Sequence, residues 1–234
     1  MSLSEHIQRT SLFKFNKLKC LRNDYFHNNC SFCMDICPEN ALALIRGKLN
    51  LLTDKCSNCG GCIGICPSEA LSLESFNEID FSLNNKEELL TCQKNIPCLA
   101  MFDEHHLIYM ALKNEELSCD LSKCEGCEVN KNSKIKTQIE NIIKNSNRFL
   151  KDLEIKKEVL IKTDIEINKR RYLFSKILDK AKLNSDEKEV IEDDYLKRVP
   201  LKRELLNRAL EKIIEDLKIT KVKNYSFLLD KIYN

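Results

Sequence analysis

Thirteen cysteines stand in this 234-residue chain, all between Cys20 and Cys127. Two runs dominate. Cys56-Ser-Asn-Cys59-Gly-Gly-Cys62-Ile-Gly-Ile-Cys66-Pro67 reads C-x2-C-x2-C-x3-C-P, and Cys30-Ser-Phe-Cys33-Met-Asp-Ile-Cys37-Pro38 repeats its second half. The residues behind each proline echo one another, Pro38-Glu39-Asn40-Ala41-Leu42 against Pro67-Ser68-Glu69-Ala70-Leu71. Thiolates are soft ligands that select zinc, copper(I) or iron–sulfur clusters. Three thiolates spaced two residues apart can wrap one face of a metal centre from a tight loop. The proline after the fourth fixes φ and removes an N–H that would lack a partner. Gly60 and Gly61 let the loop backbone come close to whatever the thiolates hold.

The element between the runs must position them. Ala41–Ile45, Arg46-Gly47 and Lys48–Leu52 read as a β-hairpin that leads from the first loop into the second. Two copies of one short unit predict a pseudo-twofold α+β domain.

The complete run at Cys56–Pro67 resembles the two-cluster [4Fe-4S] ferredoxin family, over roughly residues 20–75. The resemblance implies that the fourth cysteine of each run serves the other repeat's cluster. Cys56, Cys59, Cys62 and Cys37 would hold one cubane; Cys20, Cys30, Cys33 and Cys66 would hold the other. The first repeat departs from the family pattern, because His27 stands where its first cysteine belongs. Cys20 is the nearest spare thiol. Ferredoxin-like modules of larger redox proteins use such a widened gap, often with an Arg just after it, as Arg22 is here. His27 is the alternative ligand, and a cluster with an open iron is another. Structural zinc is the competing chemistry, but zinc sites want two cysteine pairs held apart by a spacer.

Cys92, Cys98, Cys119, Cys124 and Cys127 lie in a segment that reads as a small α/β unit. It has strands at Leu89-Leu90-Thr91 and Leu117–Leu121 around a helix from Asp103 to Lys113. The pattern Ile96-Pro97-Cys98-Leu99-Ala100 followed by Cys124-Glu125-Gly126-Cys127 resembles a module that follows ferredoxin domains in bacterial iron–sulfur proteins. More distantly, residues 88–127 resemble the small iron–sulfur subunit linking hydrogenases to heterodisulfide reductases. The resemblance implies a third cluster on Cys92, Cys98, Cys124 and Cys127, with Cys119 spare or an alternative ligand. Zinc and reduced structural thiols are the other readings. His105 and His106 are expected as solvated helix residues, since nothing in the sequence sets them beside a thiol.

Composition sets the frame. Residues 1–130 carry 12 Lys+Arg against 18 Asp+Glu, and residues 131–234 carry 26 against 18, so an acidic cysteine-rich part joins a basic cysteine-free part. The expected domains are a two-cluster ferredoxin-like domain at 1–80, a five-cysteine α/β unit at 81–130 and a basic helical region at 131–234. In that last region Ile135–Leu153, Tyr172–Leu183 and Pro200–Leu217 have helical apolar spacing. Lys169-Arg170-Arg171 and Lys197-Arg198 with Lys202-Arg203 are candidate docking patches for an acidic redox partner or for the protein's own acidic part. Most of the basic charge reads as ordinary solvated helix surface. No nucleic-acid motif is present. No apolar run approaches the roughly 20 residues that span a bilayer, and Met1–Phe15 lacks the features of a signal peptide. A cytoplasmic setting, where thiols stay reduced, is the expectation. Phe227-Leu228-Leu229-Asp230-Lys231 echoes Leu51-Leu52-Thr53-Asp54-Lys55, the lead-in to Cys56, which suggests a further cysteine run downstream in the same gene.

The sequence thus predicts a multi-cluster iron–sulfur electron carrier, non-catalytic or an electron-transfer subunit of an oxidoreductase. The alternative is a redox-sensing or structural iron–sulfur module that binds a partner through its basic helices.

Overall fold

Antiparallel pairing closes the cysteine-rich part on itself. In the computed structural model, which describes residues 12–25, 27–165, 189–191 and 199–217, β1 (Phe13–Phe15) pairs with β4 (Leu71–Leu73), Phe13 opposite Leu73 and Phe15 opposite Leu71. β2 (Leu42–Ile45) and β3 (Lys48–Leu51) form the expected hairpin. Arg46 and Gly47 both have positive φ, 51° and 75°, as the tight hairpin turn that matches strand twist requires. Each cysteine loop therefore runs from one strand pair to the other. A short helix α1 (Leu21–Asp24) follows Cys20, and α2 (Phe32–Ile36) carries Cys33.

The two repeats agree in backbone detail. Asn40 and Glu69, the equivalent residues behind the two prolines, both take left-handed φ (49° and 52°). That turn aims the next amide back at the loop. Ala41 N–H donates to Cys37 Sγ and Ala70 N–H donates to Cys66 Sγ, each at 3.3 Å.

The second part is built on parallel strands. β5 (Leu89–Leu90), β6 (Leu117–Asp120) and β7 (Val159–Lys162) form a three-stranded sheet in that order. Parallel neighbours need crossover connections, and helices α4 (Glu104–Lys113) and α5 (Lys134–Asp152) supply them. Between the two parts lies α3 (Glu78–Asn84), capped by Asn77, whose side chain accepts from Ile79 N–H and Asp80 N–H. α5 buries Ile135, Ile139, Ile142, Ile143, Phe149 and Leu150 along one stripe, as its apolar spacing predicts. β7 was not legible as a strand, and it carries the sheet past residue 130, where composition changes.

α6 (Leu201–Leu217) packs against α4 and α3 and buries Leu205, Leu206 and Ala209. Its first turn is capped from afar: the Glu69 carboxylate accepts from Leu201 N–H and Lys202 N–H at 2.8 and 2.7 Å. Tyr172–Leu183, Lys169-Arg170-Arg171, Lys197-Arg198 and Phe227–Lys231 lie outside the described residues. Among the described residues, no helix is long and apolar enough to cross a membrane. The whole is an α+β chain with one contiguous apolar core running from the cysteine loops to α6.

Candidate metal centre

All thirteen cysteines are free thiols, and twelve of them fall into three groups. Burial raises the Cys33 thiol to about 12, and the neighbouring charges of Cys66, Cys30 and Cys20 push it the same way. Burial also raises Cys20 and Cys30, and Cys66 acts on both. Cys20, Cys30, Cys33 and Cys66 therefore lie near enough for their charges to act on one another. Cys20 is buried there, while His27, in left-handed backbone, is exposed.

The second group is Cys37, Cys56, Cys59 and Cys62. Burial raises Cys56 and Cys59, and Cys37 adds to both. Cys62 is raised furthest, by enclosure first and then by Cys59, Cys33, Cys37 and Cys66. All four thiols of the second group line one recess, closed by Phe13, Leu42 and Leu51. Cys62 also faces two thiols of the first group, so the two sites are adjacent.

The third group gathers at the carboxyl ends of the parallel strands β5 and β6, where open α/β sheets place their ligands. Burial raises Cys92 to about 12 and Cys124 to about 11, with Cys124 and Cys127 acting on Cys92 and Cys127 acting on Cys124. Cys98 is raised well above the ordinary thiol value, by burial and then by Cys59, Cys92 and Cys124. Cys98 thus joins the third site to the second. Cys119 lies inside β6, fully buried; burial raises it to about 12, and the charge acting on it is Asp120, not another thiol.

The backbone presents these sulfurs. Nearby amides favour the charged form of several sulfurs: those of Asn23 and Arg22 at Cys20, Phe32 at Cys30, Asn58 at Cys56, Gly61 at Cys59 and Ala100 at Cys98. A hydrogen bond to sulfur favours the thiolate over the thiol. Gly64, between Cys62 and Cys66, holds the second and third sites together. A Cβ there would lie 2.5 Å from the carbonyl oxygens of Ala100 and Phe102, so only glycine admits the turn after Cys98. Gly64 N–H donates to Ala100 O at 3.2 Å.

Three further groups act around the sites; the sequence pointed to Arg22 but not to the other two. Arg22 donates from Nη1 to Cys30 O at 3.3 Å, and its charge favours the thiolates of Cys20 and Cys30. Its Nε is buried with no hydrogen-bond partner, a vacant cationic donor beside the first site. Asp120 ties the ends of β5 and β6: it accepts from Thr91 Oγ1 at 2.6 Å, Gln93 Nε2 at 2.9 Å and Ser122 N–H at 2.9 Å. Burial alone would raise the Asp120 carboxyl, but these donors from Ser122, Thr91 and Gln93 hold it below the usual range.

The third is a buried ion cluster. His105 and His106 are not solvated, as the sequence suggested; they are 6% and 2% exposed. Asp103 caps α4 and accepts from the amides of His105 and His106, while their Nδ1 atoms lie 3.1 and 2.7 Å from its carboxylate. Lys202, expected in a docking patch for an acidic partner or for the protein's own acidic part, takes the second course and is buried, at 6% exposure. Its ammonium meets Asp103 Oδ2 at 2.8 Å and donates to Cys66 O at 2.7 Å. Burial opposes the Asp103 charge, yet Lys202, His105 and His106 hold its carboxyl well below the usual range. A basic residue of the C-terminal part thus docks on the protein's own acidic part.

Among the described residues, no three His, Cys, Asp or Glu side chains converge closely enough to hold a single metal ion. No family model, no curated protein and no solved structure matches the chain.

Proposed function

We propose that this chain is an iron–sulfur protein that relays single electrons between redox partners, with three cluster sites in the order first, second, third. The observation that carries the reading is the grouping itself: four thiols at each site, with Cys62 facing the first group and Cys98 facing Cys59 of the second. In this reading Cys20, Cys30, Cys33 and Cys66 hold one [4Fe-4S] cluster, and Cys37, Cys56, Cys59 and Cys62 hold another. Cys92, Cys98, Cys124 and Cys127 hold a third cluster.

The residues present fit such groups. Four thiolates around zinc, each at about 2.3 Å, would stand only about 3.8 Å apart. Thiols that act on one another without converging on a single point suit a larger centre, whose own iron and sulfide atoms spread the ligands. The buried, unpartnered Arg22 Nε suits a negatively charged group beside Cys20 and Cys30. The paired strands and the two equivalent N–H···S bonds are what a pseudo-twofold ferredoxin-like domain requires.

Iron–sulfur clusters, when bound, supply one-electron redox chemistry whose potential is set by hydrogen bonds to sulfur and by burial. The chain's contribution is to hold and tune. Ala41 N–H and Ala70 N–H offset negative charge on Cys37 and Cys66, which favours a reduced centre. Burial of Cys62 and Cys98 works the other way, because enclosed charge is poorly solvated. The thirteen free thiols fit a cytoplasmic, reducing setting.

A second reading, a redox-sensing module that binds an acidic partner, is favoured by one surface. Lys144, Arg148, Lys151, Lys156 and Lys157, with Glu154 and Glu158 among them, line a groove at the C-terminal end of α5. Electron paramagnetic resonance on anaerobically purified protein separates the readings. A relay gives fast, reversible reduction by dithionite and reoxidation by an added acceptor protein, with spin coupling between neighbouring sites. A sensor gives clusters that are lost on oxidation and no turnover with an acceptor.

A further inference from the structure

A buried positive charge stands against the first site. Lys202, in the first turn of α6, donates from its ammonium to Cys66 O at 2.7 Å and meets Asp103 Oδ2 at 2.8 Å. Burial works against that charge, but Asp103 and Glu69 hold the ammonium above the ordinary lysine value, so it stays protonated. The Cys66 sulfur and the ammonium are close enough for their charges to act on each other. Asp103 reaches Cys66 O only through Lys202, and the Glu69 carboxylate is bonded to the Leu201 and Lys202 amides. The cation is thus the charged group bonded to the ligand cysteine, with the carboxylates behind it.

The three sites differ in the fixed charge around them. At the first, Arg22 donates to Cys30 O at 3.3 Å, as Lys202 does to Cys66 O, and its charge acts on Cys20 and Cys30. At the second, beyond burial, the charges acting on Cys56, Cys59 and Cys62 are those of other thiols. At the third, Asp120 opposes negative charge on Cys92 and Cys124. Lys136 favours it at Cys124, but Glu140 opposes it there, and Lys136 is paired with Glu125 at 2.9 Å. Reducing a cluster adds one negative charge, which a nearby cation stabilises and a nearby carboxylate opposes. Buried charges act with little screening by salt.

We propose that Lys202 tunes the first site: its buried ammonium shields the Cys66 ligand from the Asp103 and Glu69 carboxylates and, with Arg22, makes this site the most readily reduced of the three. This tuning rests on the cluster reading of the first site and gives the relay a direction, towards that site. The measurement is a dithionite titration of the full, anaerobically purified chain with redox mediators, followed by electron paramagnetic resonance. The first-site signal is the one that Cys20→Ala removes or alters. It is expected to appear at a higher potential than the other two. Lys202→Met is expected to lower the first-site reduction equilibrium about tenfold, or about 59 mV for one electron, and to leave the other sites unmoved. Lys202→Gln, which keeps a donor and loses the charge, should act alike and decides the matter if Lys202→Met does not fold. Lys202→Arg keeps the charge and should hold the native potential. A first-site signal that appears after either of the others overturns the proposal. An unmoved potential in the neutral variants overturns it too, as does an equal shift in Lys202→Arg. Absence of iron overturns it together with the relay, whereas full iron with an unmoved potential overturns it alone.

Discussion

The cysteine loops and the parallel sheet hold together by different means. Of the twelve largest fully buried side chains among the described residues, only Leu71 precedes α3; the others, Phe102, Met110 and Phe149 among them, belong to the turns on either side of Cys98, to α3–α5 and to β5 and β6. Residues 12–76 instead place Cys20, Cys33, Cys59, Cys62 and Cys66 in their interior. Burying a Phe or Leu side chain contributes about 1.5–3 kcal/mol, and thiols contribute far less. One region thus mixes thiols with medium-sized apolar side chains in its interior, and the other is built around large apolar packing.

The largest test of that contrast is metal removal. Stripping the clusters anaerobically with a chelator is expected to abolish amide-exchange protection across residues 12–76, since ligand binding there is folding free energy. Protection in α4, α5 and β6 should persist, and uniform loss or uniform retention would erase the distinction. Next comes single-ligand loss. Cys59→Ala should remove up to about four irons per chain, whereas Cys119→Ala should remove none; iron analysis of both variants checks this.

Packing and ion-pair changes should be smaller and should leave iron content intact. Phe149→Ala is expected to cost about 3–5 kcal/mol in denaturant unfolding. Lys202→Met strands the buried Asp103 charge and should cost a similar amount, about 3–5 kcal/mol. Adding Asp103→Asn to it should restore part of that loss.

A pH dependence confined to alkaline solution should appear in the metal-free parallel unit. Cys119 titrates near 9.0 when unfolded and near 12 when folded, so the unfolded chain loses its proton first. Stability should fall as pH rises from about 9 towards 12, by about 1.4 kcal/mol per pH unit for this thiol. Cys119→Ala should flatten the profile over that interval.

Legibility in the sequence followed the range of the interaction. The hairpin at Arg46-Gly47, the helices from Asp103 and Lys134, and the helix after Pro200 rest on local turn chemistry, caps and apolar period, and each was readable. The two cysteine runs and their echo behind Pro38 and Pro67 were readable as a repeat, but repeat spacing alone pointed to position 27, and Cys20 entered only through the family resemblance. The inward turn of Lys202, the burial of His105 and His106, and β7 were not readable. Each depends on a partner from a distant segment: Asp103 for Lys202, α6 packed against the histidines' helix, and β6 for β7. A basic pair at a helix start looks the same whether solvent or a buried carboxylate awaits it.

The central claim, three thiolate sites built for iron–sulfur clusters, is tested most directly by counting iron and acid-labile sulfide in the anaerobically purified full chain. About eight irons come from two cubanes, and up to about twelve with the third site filled, with sulfide in matching amount and no zinc. Stoichiometric zinc without sulfide would contradict the account.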